Sequence, residues 1–483
     1  MNTLTKRAFI GLDAGDIVFI ERHLNELPSL AAAIENGVLT ELRSTGMEFT
    51  GSVWPTFFTG RLPGEHGIYH HLQWDPARME MRRVNPEWLP TVPFWHELGR
   101  AGVRVIAFDV PMVHPTPHQN GIAIYSWGSH DQLSTFRAFP KTTERELRQQ
   151  FGAHPMGAEI PVSKSRAELR RVRRNLMSGA AIKGRAIAQL ARSQAWDILL
   201  AVFGECHRGG HIFWSNAGFN GETPLLDVYR AVDIAVAELA EVFRAMGASM
   251  TLFALHGMDF NNSQEHFTRA VIERANAVFL QQTKRCGKRA AKLPLIRLLR
   301  DHVPARVQNA VARRVPVPAR DWVVGRQIVS GIEWEETPGF ALLADLDGYV
   351  RLNLRGREAR GWLERGSQME RDYRDWLSQC FRSLRDERSN RPLVAEVIQT
   401  MEHFEGERVA HLPDLVIKWN ELPPATRVQS ETLGAFEADL STGRSGNHRP
   451  RGFLLVPRSD SALAADSPQL NGIEELAAFF SRR

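Results

Sequence analysis

Short apolar runs alternate with longer amphipathic stretches through the first 275 residues. The runs are Ala8–Leu12, Val103–Val110, Trp196–Phe203 and Ser249–Leu255. Their length and lack of helical period predict strands buried on both faces. Helix-period patterns lie between them at Glu21–Asn36, Glu144–Phe151, Arg166–Ala191 and Leu226–Met246. This alternation predicts an α/β fold, a doubly wound, mostly parallel sheet flanked by helices. Such sheets gather functional side chains at the carboxyl ends of their strands. Here those ends carry Asp13, the 204–211 loop and His256, which are expected to meet at one edge of the sheet.

The pattern changes near residue 281. Between 281 and 320, Lys284, Arg285, Lys288, Arg289, Lys292 and further arginines face one acidic residue, Asp301, while Leu293, Ile296, Leu299, Val303 and Val307 form an apolar stripe. Two readings are open: a basic helical insertion or cap with a solvated face, or a surface for anionic lipid or a polyanionic substrate. No aromatic residue interleaves with the charges, so nucleic acid is not the expected partner. Beyond it, 348–358 reads as a strand and turn, Met369–Arg385 as a helix and 413–419 as a strand. Three parts are predicted: 1–275 as the first part of the core, 276–340 as the insertion, and 341–483 returning to the core.

With 483 residues, 43% of them hydrophobic and 24% charged, the composition is that of a folded protein with a large core. The net charge of +5 is small for this length and implies no polyanionic partner by itself. Cys206, Cys286 and Cys380 form no C-x-x-C pair, which argues against a disulfide framework and a thiolate zinc site. The opening residues hold no apolar leader core, and no run of about 18 apolar residues follows. The expected location is cytoplasmic.

The candidate chemistry is concentrated in Thr50-Gly51-Ser52-Val53-Trp54-Pro55, closed by Thr59-Gly60 and then Pro63-Gly64-Glu65-His66-Gly67-Ile68. A hydroxyl residue where a strand gives way to a helix faces free backbone N–H groups, a setting suited to a phosphoryl group. The chain also has Asp13 after a strand, His207 and His211 four apart in GECHRGGHIFW, His256 in ALHGM and His448 in SGNHRPRG. On a helix, the four-residue spacing stacks two imidazoles on one face, a common way to bind an ion. Gly209 and Gly210 between them favour close backbone approach over a regular helix.

This order of a carboxylate, a hydroxyl nucleophile and scattered histidines resembles the alkaline phosphatase superfamily, and within it the type I phosphodiesterase/nucleotide pyrophosphatase branch. The resemblance implies Thr50 as a metal-activated nucleophile, with Ser52 as the alternative. It implies Gly51, Ser52, His70 and His71 as contacts to the phosphoryl group. It also implies Asp13, Thr50 and His256 around one ion, and His207, His211 and His448 around another, with Zn2+ expected and Mn2+ as the alternative. His207 stands where the branch usually has an aspartate, and Leu255 where it has a second, so Glu205 and Asp259 are lower-ranked candidates to compensate. His66 is expected to bond the turn that follows the nucleophile, and His130 and the remaining histidines to be surface or core residues. The implied activity is hydrolysis of a small-molecule phosphodiester through a covalent phospho-threonine. The alternatives are a phosphomonoesterase or phosphotransferase, and a catalytically degraded binder of a phosphorylated ligand. No C/S-x-P-x-R sequence surrounds Thr50, which argues against a sulfatase.

Overall fold

The computed structural model describes residues 6–482 apart from 90, 118–119, 158–164, 216–220, 284–321, 324, 327, 345, 439 and 441–442. An eight-stranded sheet organises the chain. Its five central strands are parallel and lie in the order Ser249–Ala254, Arg7–Leu12, Ile198–Phe203, Val105–Phe108 and Gly121–Tyr125. Arg137–Phe139 closes one side antiparallel. On the other side Arg451–Pro457 runs antiparallel between Ser249–Ala254 and Gly37–Arg43. All four apolar runs are strands of this sheet, as their patterning predicts.

Alternation along the central strands sends Ala8, Ile10 and Leu12 to one face and Phe9 to the other. The first face is covered by Arg166–Ser193 and Pro224–Ala245, which pack on each other. The second carries Val53–Thr59, Phe94–Arg100 and Leu476–Phe480, with Phe9 stacked on Phe480 at 3.9 Å. Each such side chain, fully buried, contributes about 1.5–3 kcal/mol. The expected single helix Glu21–Asn36 is divided into Ile17–Arg22, a 3-10 turn Leu24–Glu26 and Pro28–Glu35. The cause is Pro28, which disfavours helical conformation in the residue before it and suits the first helical position itself.

Residues 339–437 build a separate antiparallel unit rather than extending the main sheet. Its four strands lie in the order Gly339–Ala341, Gly348–Leu352, Leu415–Trp419 and Val394–Gln399. Thr268–Gln282 and Gln368–Arg382 share an apolar cluster with it. A buried polar knot ties this unit to the segment after the Thr50 loop: Glu358 accepts from Trp74 Nε1 at 2.7 Å and from Arg351 Nε at 2.9 Å. The chain then returns through Gly446–Arg449 and Arg451–Pro457. The basic stretch 281–320, with its proposed membrane contact, falls outside the described residues except at 281–283. Among the described residues no helix is long and apolar enough to cross a membrane.

Candidate active site

Strand ends and the loops beyond them converge on one pocket. Asp13 follows Arg7–Leu12, His207 lies on the helix Glu205–Phe213 that follows Ile198–Phe203, and His256 follows Ser249–Ala254. These three line the pocket with Thr50, Gly51 and His448. His448 arrives on the strand Gly446–Arg449, where it pairs with Met258.

Thr50 opens a 3-10 turn, Thr50–Ser52, that continues into the helix Val53–Thr59. Gly51 is obligatory here: a Cβ on it would lie 2.5 Å from the Tyr69 carbonyl oxygen. Ser52 is withdrawn from the pocket, contrary to both roles expected of it. It is 0% exposed, and its hydroxyl bonds the Phe49 carbonyl at 2.7 Å and Thr45 Oγ1 at 2.9 Å. His66 bonds the turn as expected, with Nδ1 accepting from the Ile68 N–H and Nε2 3.0 Å from Thr56 Oγ1.

The helix Glu205–Phe213 is regular through Gly209 and Gly210, a correction to the expected break. The glycines serve packing instead. A Cβ on Gly210 would stand 2.8 Å from Met258 Cγ, so its absence lets the strand bearing Met258 approach. His207 and His211 share a face, as their spacing requires, with their Nε2 atoms 3.0 Å apart. His211 Nδ1 lies 3.1 Å from the Gly446 carbonyl, which can only accept, so Nδ1 carries the proton and Nε2 the lone pair. His207 Nδ1 lies 2.8 Å from Asp13 Oδ2, so the proton on Nδ1 is donated to the carboxylate. The two Nε2 atoms are close enough to share one proton or, in its place, one cation.

Burial by itself pushes the Asp13 carboxyl up, but His207 first, then His256 and His130, outweigh it and hold it at about 2. Burial takes His256 down to about 4, with Asp13 opposing and His207 and His130 adding to the effect. His256 is therefore neutral near pH 7, and its buried Nδ1 has no hydrogen-bond partner. An orphaned imidazole nitrogen, two converging imidazole Nε2 atoms and an ionised carboxylate make a donor set that fits a divalent metal.

Three residues enter that the sequence pattern does not single out. Trp54 donates Nε1–H to Asp13 Oδ1 at 3.0 Å. His130 stacks on His207 with ring centroids 4.1 Å apart, and Asp131 lies 3.0 Å from His130 Nδ1. All three line the pocket. His130 thus belongs to the site and not to the unassigned surface or core histidines. Among the described residues, two triples have ligand atoms within 4.8 Å of one another: His130, His207 and His211, and Asp13, His207 and His256.

Other candidates stand apart. Glu205 bonds His154 Nε2 at 2.9 Å; burial would raise its carboxyl, and Lys183 and then His154 hold it below the usual range. Asp259 turns outward to Trp214 Nε1 and Arg449, with its side chain 45% exposed. Neither compensates for the missing aspartates. Leu255 is buried in an apolar cluster. His70 Nδ1 is held by the backbone of Leu72, and His71 Nδ1 lies 3.2 Å from Asp131. Neither is among the residues lining the pocket.

Residues 8–331 match the type I phosphodiesterase/nucleotide pyrophosphatase family. The chain belongs to that family. It is an alkaline phosphatase superfamily member and a hydrolase of phosphoric ester bonds. Nothing among curated protein sequences matches it. Among solved structures it is similar to phosphonoacetate hydrolase from Sinorhizobium meliloti 1021 in complex with phosphonoformate. That pair shares 14% identity over 99% of this chain and 95% of the other, with a TM-score of 0.51. It is also similar to murine ectonucleotide pyrophosphatase/phosphodiesterase 5 in complex with AMP, at 11% identity over 94% and 88% of the two chains and a TM-score of 0.46. The phosphonoacetate hydrolase likeness places this phosphodiesterase-family chain in the same fold.

Proposed function

We propose that this phosphodiesterase-family chain hydrolyses a small-molecule phosphodiester with Thr50 as nucleophile. The observation that carries the reading is the placement of Thr50 in one pocket with Asp13, His207, His256 and His448. Attack by Thr50 Oγ on phosphorus forms the new O–P bond and expels one ester oxygen. The proton lost from Thr50 ends on the departing alcohol, and water then cleaves the phospho-threonine to restore the hydroxyl. The Gly51 N–H, at the start of the same turn, is suited to bind a phosphoryl oxygen as charge builds on it. A divalent metal, Zn2+ or Mn2+ given these ligands, supplies positive charge that lowers the pKa of the hydroxyl and offsets charge on the phosphoryl group. Asp13 and the Gly446 carbonyl orient the imidazoles that would hold it.

Thr50→Ala tests the reading with an activated aryl phosphodiester. Turnover falls at least about 1,000-fold while metal content is kept; unchanged turnover sinks Thr50 as nucleophile.

A further inference from the structure

We infer that the antiparallel unit of residues 339–437 holds the nucleophile turn in place, with Tyr349 and Lys418 as positioning residues for Thr50. This rests on the reading of Thr50 as nucleophile. Thr50 belongs to no long element. A 3-10 turn, Thr45–Met47, precedes it, Glu48 and Phe49 follow in the chain, and Thr50 opens a second 3-10 turn that ends at Ser52. Hydrogen bonds in such short turns are poorly aligned, so the packing around them must fix their place.

Ser52 ties the second turn back to Phe49 and Thr45. Each of the three residues before Thr50 also meets the antiparallel unit. The Lys418 ammonium donates to the Met47 carbonyl and is itself anchored by Asp347 Oδ2 at 2.7 Å. The Tyr349 hydroxyl donates to the Glu48 carbonyl at 3.2 Å, and His403 Nε2, at the end of the helix Thr400–His403, lies 3.0 Å from Glu48 Oε1. The Phe49 ring meets Tyr349 with centroids 5.5 Å apart and stacks on Phe404 at 5.7 Å.

Two of these contacts grip backbone carbonyls, so they fix the path of the chain rather than a side chain. Met47 is held in this way although it is 47% exposed. Tyr349 and Lys418 lie on paired strands, Gly348–Leu352 and Leu415–Trp419, so the ladder sets the spacing between the two donors. Tyr349, His403, Phe404 and Lys418 all lie beyond residues 8–331, the stretch matched by the family. Support for the nucleophile therefore comes from outside that stretch.

Steady-state kinetics of the full-length protein with an activated aryl phosphodiester test this. Tyr349→Phe and Lys418→Met each lower kcat about 10–100-fold, as expected for a displaced nucleophile, and leave KM within about twofold of the parent. Val428→Ala opens a cavity in the other apolar cluster of the same unit; it lowers the thermal midpoint but keeps kcat within about twofold. Circular dichroism checks folding, and Tyr349→Phe, which keeps the ring, decides alone if Lys418→Met does not fold. Parental kcat in the folded Tyr349 and Lys418 variants, with Thr50→Ala inert, overturns the inference and leaves the hydrolase reading intact. An equal loss of kcat in Val428→Ala overturns it too, since the effect is then one of general stability. A Thr50→Ala variant as active as the parent overturns both.

Discussion

Lys183 Nζ lies 2.9 Å from Asp109 Oδ2, with neither side chain exposed to solvent. Burial alone would raise the Asp109 carboxyl, but Lys183 and then His154 hold it below the usual carboxylate range. The same carboxylate caps the backbone of Trp127 and Gly128, two residues short of His130. A buried charge pair under the sheet therefore sets the position of the loop that completes the site.

Lys183→Met leaves Asp109 charged and unpaired in the interior, which costs about 3–5 kcal/mol. The expected result is a lower urea midpoint, partly recovered in Lys183→Met/Asp109→Asn. An unchanged midpoint in the single variant refutes the role given to the pair.

His66 sets an acid limit on stability. Burial takes its imidazole from 6.5 to about 3. The unfolded chain therefore accepts the proton first as pH falls. This contribution is complete above about pH 6.5 and declines toward pH 3 by about 1.4 kcal/mol per unit. Denaturant midpoints measured from pH 7 to 5 should fall more steeply in the parent than in His66→Asn; equal slopes count against the assignment.

Ser52→Ala separates structure from chemistry. Removing a hydroxyl that bonds Thr45 and the Phe49 carbonyl costs about 1–2 kcal/mol. Turnover per folded molecule is expected to stay within about twofold of the parent. A loss greater than tenfold in correctly folded protein transfers the nucleophile from Thr50 to Ser52.

Gly51→Ala drives a methyl group into the Tyr69 carbonyl and the His70 Cα, 2.5 and 2.6 Å away. Overpacking against backbone costs about 1–3 kcal/mol and displaces Thr50. Both the thermal midpoint and kcat should drop. A variant that melts with the parent shows the loop to be more yielding than its packing implies.

Local patterning determined much of this protein. Apolar runs such as Ala8–Leu12 and Trp196–Phe203 marked strands buried on both faces, because a side chain's direction relative to its own element follows from backbone period. The same rule put His207 and His211 on one helix face, and the strand ends put Asp13 and His256 beside them. The 37–43 and 451–457 strands did not stand out, since each takes its place by antiparallel pairing across some 400 residues. Only tertiary structure decided which way the remaining candidates turned: Ser52 inward, Asp259 outward, Glu205 onto His154. It also brought His130 and Trp54 to Asp13 and His207, through contacts such as Lys183–Asp109 and Arg208–Ser129 that join distant segments. No local periodicity encodes those contacts, because they arise from long-range packing between elements that each fold by local rules.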